Sequence, residues 1–238
     1  MTAPAIRAAI FDVFGTVVDW REGVAAAARE TFAAKGIAAD PHAFADAWRA
    51  EYQPAMQAVR SGARGYVALD DLHFENLGRV LARLGLADAF TEAEKWALNA
   101  AWEKLPPWPD SVAGIAATRR RMIVAPCSNG SIALMTRLAR FGGLPWDCIL
   151  GADVARAYKP DPLAYRRSVA ALRLAPAEVV MVAAHNGDLA AARAEGLRTA
   201  FVPRAAEHGP GQTTDLGPGA DWDFVAPDML ALAALLTG

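Results

Sequence analysis

Short apolar runs of roughly four to seven residues recur along this chain between amphipathic stretches, and several end in a small or polar residue. Ala8 to Asp12, Met122 to Ser128, Cys148 to Leu150, Val179 to Ala184, Thr199 to Val202 and Trp222 to Val225 read this way. Runs apolar on both faces suit buried parallel strands. The stretches between them, among them Ser131 to Phe141, Pro162 to Leu172 and Leu189 to Glu195, carry helical spacing. Strand and helix in alternation predict an α/β fold with a doubly wound parallel sheet.

The alternation fails once. Between Trp20 and Leu105 only helical patterns occur, over Gly23 to Ala34, Pro41 to Arg60, Val67 to Leu84 and Thr91 to Lys104. Pro106, Pro107 and Pro109 then make a stiff return to the sheet. The pattern predicts an all-helical insertion over 19–105, set into an α/β core made of 1–18 and 106–238. No repeat or low-complexity segment interrupts this division.

Composition removes other classes. With 54% hydrophobic and 21% charged residues and only two cysteines, the chain is neither disordered nor disulfide-stapled. Its longest apolar run, Met229 to Leu236, is far short of the ~20 residues of a spanning helix. The N-terminal stretch has no secretory pattern, so no membrane partner and a cytoplasmic location are expected. Cys127 and Cys148 lie outside any metal or redox motif and are expected as buried free thiols. A net charge of −2 argues against nucleic acid as a partner. Among 24 basic residues only Lys35, Lys95, Lys104 and Lys159 are lysines, which asks what Arg could not do there.

In an open parallel sheet, ligands bind outside the carboxyl ends of the strands. The first run ends in Asp12, followed by Val13, Phe14, Gly15 and Thr16. Gly15 permits a tight turn that exposes the carboxylate, and the Thr16 hydroxyl is placed to hold it. Taken alone, Asp12 also fits the role of a cap for the next segment.

DVFGT after the first strand, SNGS after the second, YKPD further on and an Asp opening a helix after the fourth resemble the haloacid dehalogenase superfamily. The resemblance spans nearly the whole chain and implies a Rossmann-like core, with the helical insertion as its cap. It implies Asp12 as nucleophile, Ser128 and Asn129 as the second motif, Lys159 as the cation that steadies the nucleophile, and Asp188 as the fourth motif. A slim ammonium suits a crowded site beside a carboxylate better than a planar guanidinium.

Two departures separate reaction classes. Phosphatases of this superfamily typically carry a second Asp two residues after the nucleophile, where Phe14 stands, and an earlier Asp in the fourth motif, where Ala184 stands. Asp12 and Asp188 beside Lys159 leave a nearly neutral site without a cation, so neither metal nor other cofactor is expected. The resemblance then runs to the (S)-2-haloacid dehalogenase branch, which needs no acid for its leaving group. It implies attack by Asp12 on the halogen-bearing carbon of a small haloacid, and hydrolysis of the resulting ester.

For the substrate carboxylate the donors are the Val13 and Phe14 amides and the Ser128 hydroxyl. For the halide the resemblance implies Arg49, which follows Trp48 in FADAWRAEY as an Arg follows a Trp on the cap of that branch, with Asn129 as the second donor. Tyr165 matches a pocket tyrosine but equally fits packing inside a helix. In VAAHNGD, His185 replaces an amide of the branch, and two accounts stay open. Either His185 takes the proton of the hydrolytic water with Asp188 orienting it, or Asp188 activates water and His185 shapes the pocket. DWRE, Asp19 to Glu22, and the loop at His208 are expected as linker and surface. The family also implies a homodimer. A phosphatase acting on a small phosphate ester, or a domain that binds a small carboxylate without turnover, are the alternative functions.

Overall fold

The structure is a computed structural model that describes residues 5–238. The chain begins with β1 (Ala8–Phe11) and leaves the sheet for α1 (Trp20–Lys35), α2 (Pro41–Ala50), α3 (Tyr52–Arg60), α4 (Leu69–Arg83) and α5 (Glu92–Asn99). It returns through α6 (Ser111–Arg119) to β2 (Ile123–Ser128), then α7 (Ile132–Gly142), β3 (Leu150–Gly151) and the short α8 (Ala152–Ala155). The rest is α9 (Pro162–Ala171), β4 (Val179–Ala183), α10 (Asn186–Ala194), β5 (Arg198–Phe201), β6 (Phe224–Val225) and α11 (Met229–Thr237).

The six strands form one parallel sheet in the order β3-β2-β1-β4-β5-β6. Its two faces follow from strand periodicity. Ala9, Phe11, Val124, Val180 and Val182 pack into one cluster, while Ala8, Ile10, Ala125, Val179 and Met181 pack into a second on the opposite face. Helices cover both faces, the doubly wound arrangement expected from the alternating runs. β1 lies at the centre with Phe11 in register with Pro126 on one side and Val182 on the other, so the residue after Phe11 emerges at the switch point of the sheet.

Helix boundaries have local causes. Asp19 caps α1 by accepting from the Glu22 amide at 3.0 Å, and Gly36 closes it in the left-handed region at φ 64°. Thr91 and Glu94 form a reciprocal capping box on α5. The helix expected over Pro41 to Arg60 is instead two. Pro54 has no N–H and its ring obstructs the turn before it, so α3 starts afresh at Tyr52, with Pro54 in the first turn where a missing donor is harmless. The pattern expected to run to Lys104 ends as a helix at Asn99 and continues as one turn of 3-10 helix.

The two crossings between sheet and helical insertion lie side by side. Asp19 N–H donates to the Pro106 carbonyl at 2.9 Å, and Trp108 N–H donates to the Val17 carbonyl at 3.0 Å. Cys127 is buried, and burial pushes its thiol up to about 11. Cys148 is also free but half-buried, because β3 begins only at Leu150 and leaves it on the approach to the sheet, a correction to the expected burial.

Candidate active site

Asp12 stands at the end of β1 and is 8% exposed. Lys159 Nζ donates to its Oδ1 at 2.9 Å, and the Thr16 hydroxyl donates to its Oδ2 at 2.7 Å. Thr16 in turn accepts from the Ala184 amide at 2.9 Å, which ties the turn after β1 to the end of β4. Burial alone would raise the Asp12 carboxyl, but the Lys159 ammonium and His185 outweigh it and hold it far below the usual carboxylate range. Lys159 is likewise buried, which disfavours its charge, yet Asp12 and Asp188 hold it well above its ordinary value.

Asp188 lies in the first turn of α10. Its Oδ2 accepts from Lys159 and its Oδ1 from the Tyr165 hydroxyl, both at 2.5 Å. Both oxygens are therefore occupied, and Tyr165 belongs to the site while its ring is fully buried in the fold.

His185 does not meet Asp188 in the expected way. Its Nδ1 lies 3.0 Å from Asp12 Oδ2, and its Nε2 lies 2.8 Å from Glu207 Oε2. Burial opposes a charge on the ring, but the hydrogen bonds and charges of Asp12 and Glu207 raise its pKa well above the ordinary histidine value. Glu207, 1% exposed, also accepts from Trp20 Nε1 at 3.0 Å. Burial raises the Glu207 carboxyl, and His185 more than reverses this. The carboxylate bonded to the far side of the His185 ring is thus Glu207 and not Asp188, which one of the two open accounts has orienting it, and Trp20 in DWRE and the loop at His208 join the site instead of serving as linker and surface. Composition carried no mark of Glu207. A histidine standing in for an amide at the sheet edge needs an acceptor, and that was the one signal available.

These groups open on a cavity of about 720 Å³, roofed by residues of α2 and α3. Phe14 lines it, and the Val13 and Phe14 amides take no hydrogen bond among the described residues. Arg49 enters from α2, its guanidinium 4.0 Å from the Tyr52 ring centroid. Its Nη1 is buried without a partner among the described residues. Asn129 Oδ1 accepts from the Lys159 amide at 2.8 Å, which leaves its Nδ2 as the donor end. Ser128 sits deeper, 1% exposed, with its oxygen accepting from the Gly130 amide at 3.1 Å. Among the described residues no group of three or more His, Cys, Asp and Glu side chains is arranged to hold a metal ion. Among the described residues no helix is long and apolar enough to cross a membrane.

The arrangement sets an ionised carboxylate, Asp12, in one cavity with Arg49, whose buried Nη1 has no hydrogen-bond partner among the described residues. A family model described as haloacid dehalogenase-like hydrolase matches residues 6–196. The crystal structure of the defluorinating L-2-haloacid dehalogenase Rha0230 is 50% identical, superposes with a TM-score of 0.96, and the match covers 98% of this chain and 96% of that one. The L-2-haloacid dehalogenase PA0810 is 44% identical with a TM-score of 0.94, over 98% and 99% of the two chains. An (S)-2-haloacid dehalogenase of Xanthobacter autotrophicus is 28% identical over 85% of this chain and 77% of its own. With its parallel core, its helical insertion and a match running through all four motif positions, the chain belongs to the haloacid dehalogenase-like hydrolases, in the branch of the L-2-haloacid dehalogenases.

Proposed function

We propose that the protein hydrolyses short (S)-2-haloacids to 2-hydroxyacids through an ester on Asp12, without a metal. One observation carries the reading: the Phe14 ring lines the cavity beside Asp12, at the position where a phosphatase of this superfamily carries the acid for its leaving group. The names of the similar dehalogenases supply the substrate class and the hand.

Asp12 attacks the carbon bearing the halogen from the side opposite the halogen, and an oxygen about 3 Å from that carbon is the geometry such an attack needs. The carbon–halogen pair leaves with the halide, so no proton is required. The free Val13 and Phe14 amides and Ser128 hold the substrate carboxylate against repulsion from Asp12. Arg49 and the Asn129 amide receive the halide. Water then attacks the ester carbonyl. His185 is the base for that water, because its Nδ1 faces Asp12 while both oxygens of Asp188 are already bonded. Residues 19–105 act as the cap over this site. The free thiols support a cytoplasmic setting, and the family resemblance supports a homodimer.

Halide release from the two enantiomers of 2-chloropropionate, measured with a chelator present, tests the reading. Release from the (S) form alone is expected. Release from neither, with chelator-sensitive release of phosphate from a simple ester, would replace it with a phosphatase.

A further inference from the structure

His185 is bonded on both sides by groups that only accept. Asp12 Oδ2 lies 3.0 Å from Nδ1 and Glu207 Oε2 lies 2.8 Å from Nε2, and a carboxylate has no hydrogen to offer. Both ring nitrogens must therefore carry hydrogen, and the resting group is an imidazolium. An imidazolium is an acid. A role for His185 as a base is chemically consistent only if something removes a proton from it after the substrate binds and before water attacks.

The ester on Asp12 is that event. Asp12 enters the reaction as an anion and becomes neutral when its oxygen is alkylated, so one of the two charges holding the imidazolium disappears. Glu207 remains, bonded to Nε2 and fixed from behind by Trp20 Nε1 at 3.0 Å. The other charged or titratable groups facing the cavity are Lys159, Asp188, Arg49, Arg60, His208 and Asp215. Lys159 keeps its charge and is left with one carboxylate in place of two, so the loss of that single anion leaves the surroundings of the ring more positive and favours loss of its proton.

We propose that alkylation of Asp12 discharges His185, so that the proton of the overall reaction leaves with the halide in the first half-reaction and His185 enters the second as a neutral base oriented by Glu207. The inference rests on Asp12 being the alkylated residue. In the first step a carboxylate pair of Asp12 forms the carbon–oxygen bond, the carbon–halogen pair departs as halide, and the Nδ1 proton passes to solvent through the open cavity. In the second step water adds to the ester carbonyl and gives one proton to Nδ1. The intermediate then collapses, and the alkoxide of the hydroxyacid takes the remaining proton of the added water. Asp12 and the imidazolium are restored and no proton is exchanged with solvent in that step. Glu207 is a positioning residue, since it acts through His185 and does not touch the ester.

A single turnover with (S)-2-chloropropionate in weak buffer at about pH 8, well above the ordinary histidine value of ~6.5, separates the possibilities. A dye reports protons, and quenched samples report halide and hydroxyacid. One proton per site rising with halide and ahead of hydroxyacid is expected. A proton rising with hydroxyacid overturns the inference and assigns water activation to a group that is unprotonated at rest. No halide at all refutes the proposed function instead. Glu207→Gln is expected to accumulate the ester, seen as a mass gain on the peptide that contains Asp12; its failure to do so removes Glu207 from the mechanism. Asp12→Asn mimics the neutral ester without turnover. Carbon and nitrogen resonances of the His185 ring should show an imidazolium through neutral pH in the parent protein, and a titration at least about tenfold more acidic in the variant. Equal titrations in the two proteins would overturn the coupling even if the ester never accumulates.

Discussion

The close approach of Gly15 to Glu207 makes a quantitative prediction. Gly15 sits at φ +88°, and a Cβ placed on it would lie 2.0 Å from Glu207 Oε1 and 2.2 Å from its Cδ. Gly15→Ala therefore imposes two separable costs. Holding an L-residue in the left-handed region costs about 1–2 kcal/mol. Displacing the Glu207 carboxylate breaks its bonds to His185 and Trp20, at about 1.5–3 kcal/mol each for bonds to charged groups. Retreat into the open cavity returns some hydration, so about 2–4 kcal/mol of the second cost should survive. The first cost is independent of Glu207 and the second vanishes without it. In a Glu207→Ala background, Gly15→Ala should then cost only about 1–2 kcal/mol, against about 3–6 kcal/mol in the parent. Urea unfolding of the four proteins at neutral pH closes the cycle. A coupling within about 0.5 kcal/mol of zero would show that the carboxylate is not seated under Gly15 and would undo the account of how His185 is held.

Two further outcomes are expected. Lys159→Met leaves Asp12 and Asp188 as buried like charges; halide release should fall by about 10²–10³-fold, and the acid limb of kcat/KM should move to higher pH as the Asp12 carboxyl rises, both read from a pH-rate profile on protein checked for folding by circular dichroism. His73→Phe should stabilise the protein, because His73 is 1% exposed, stacks on Trp102 and has no partner for either ring nitrogen among the described residues. Relief of about 1–3 kcal/mol is expected. Burial, with Arg49 adding to it, holds the pKa of His73 well below the ordinary value. The unfolded chain therefore takes up the proton first, and this residue's contribution, full above ~6.5, is lost by up to about 1.4 kcal/mol per unit as pH falls. Thermal melts at neutral and mildly acid pH should show that slope in the parent and its loss in the variant.

What could be read from the chain and what could not divide along a physical line. The sheet was legible because a buried parallel strand must be apolar on both faces, and Asp12 stood out because an ionisable group ending such a run needs a use. Lys159 stood out by rarity in an arginine-rich chain. Glu207 did not, since its partner Trp20 is 187 residues away and no local spacing links them. His73 reads in sequence as one polar residue on a helix, and only packing against Trp102 reveals that its nitrogens are stranded. The division at Tyr52 was missed for a different reason: helical periodicity continues through Pro54, while the missing amide acts only on the backbone.

The paired crossings at Val17 to Asp19 and Pro106 to Trp108 bear on how such a protein changes over generations. Because the chain departs and returns at neighbouring hydrogen-bonded positions, the whole run of α1 to α5 is covalently joined to the core at one small patch, and its other ties to the core are side-chain contacts such as Tyr66 to Asp153 and Arg60 to the Lys159 carbonyl. A different helical module, joined to the same two ends, would inherit the ionised carboxylate and its lysine intact while bringing new side chains over the cavity. Most of the cavity's lining on that side, including Arg49, Gln53 and Gln57, would then be replaced in a single genetic exchange, whereas Glu207 and His185 would stay behind with the sheet.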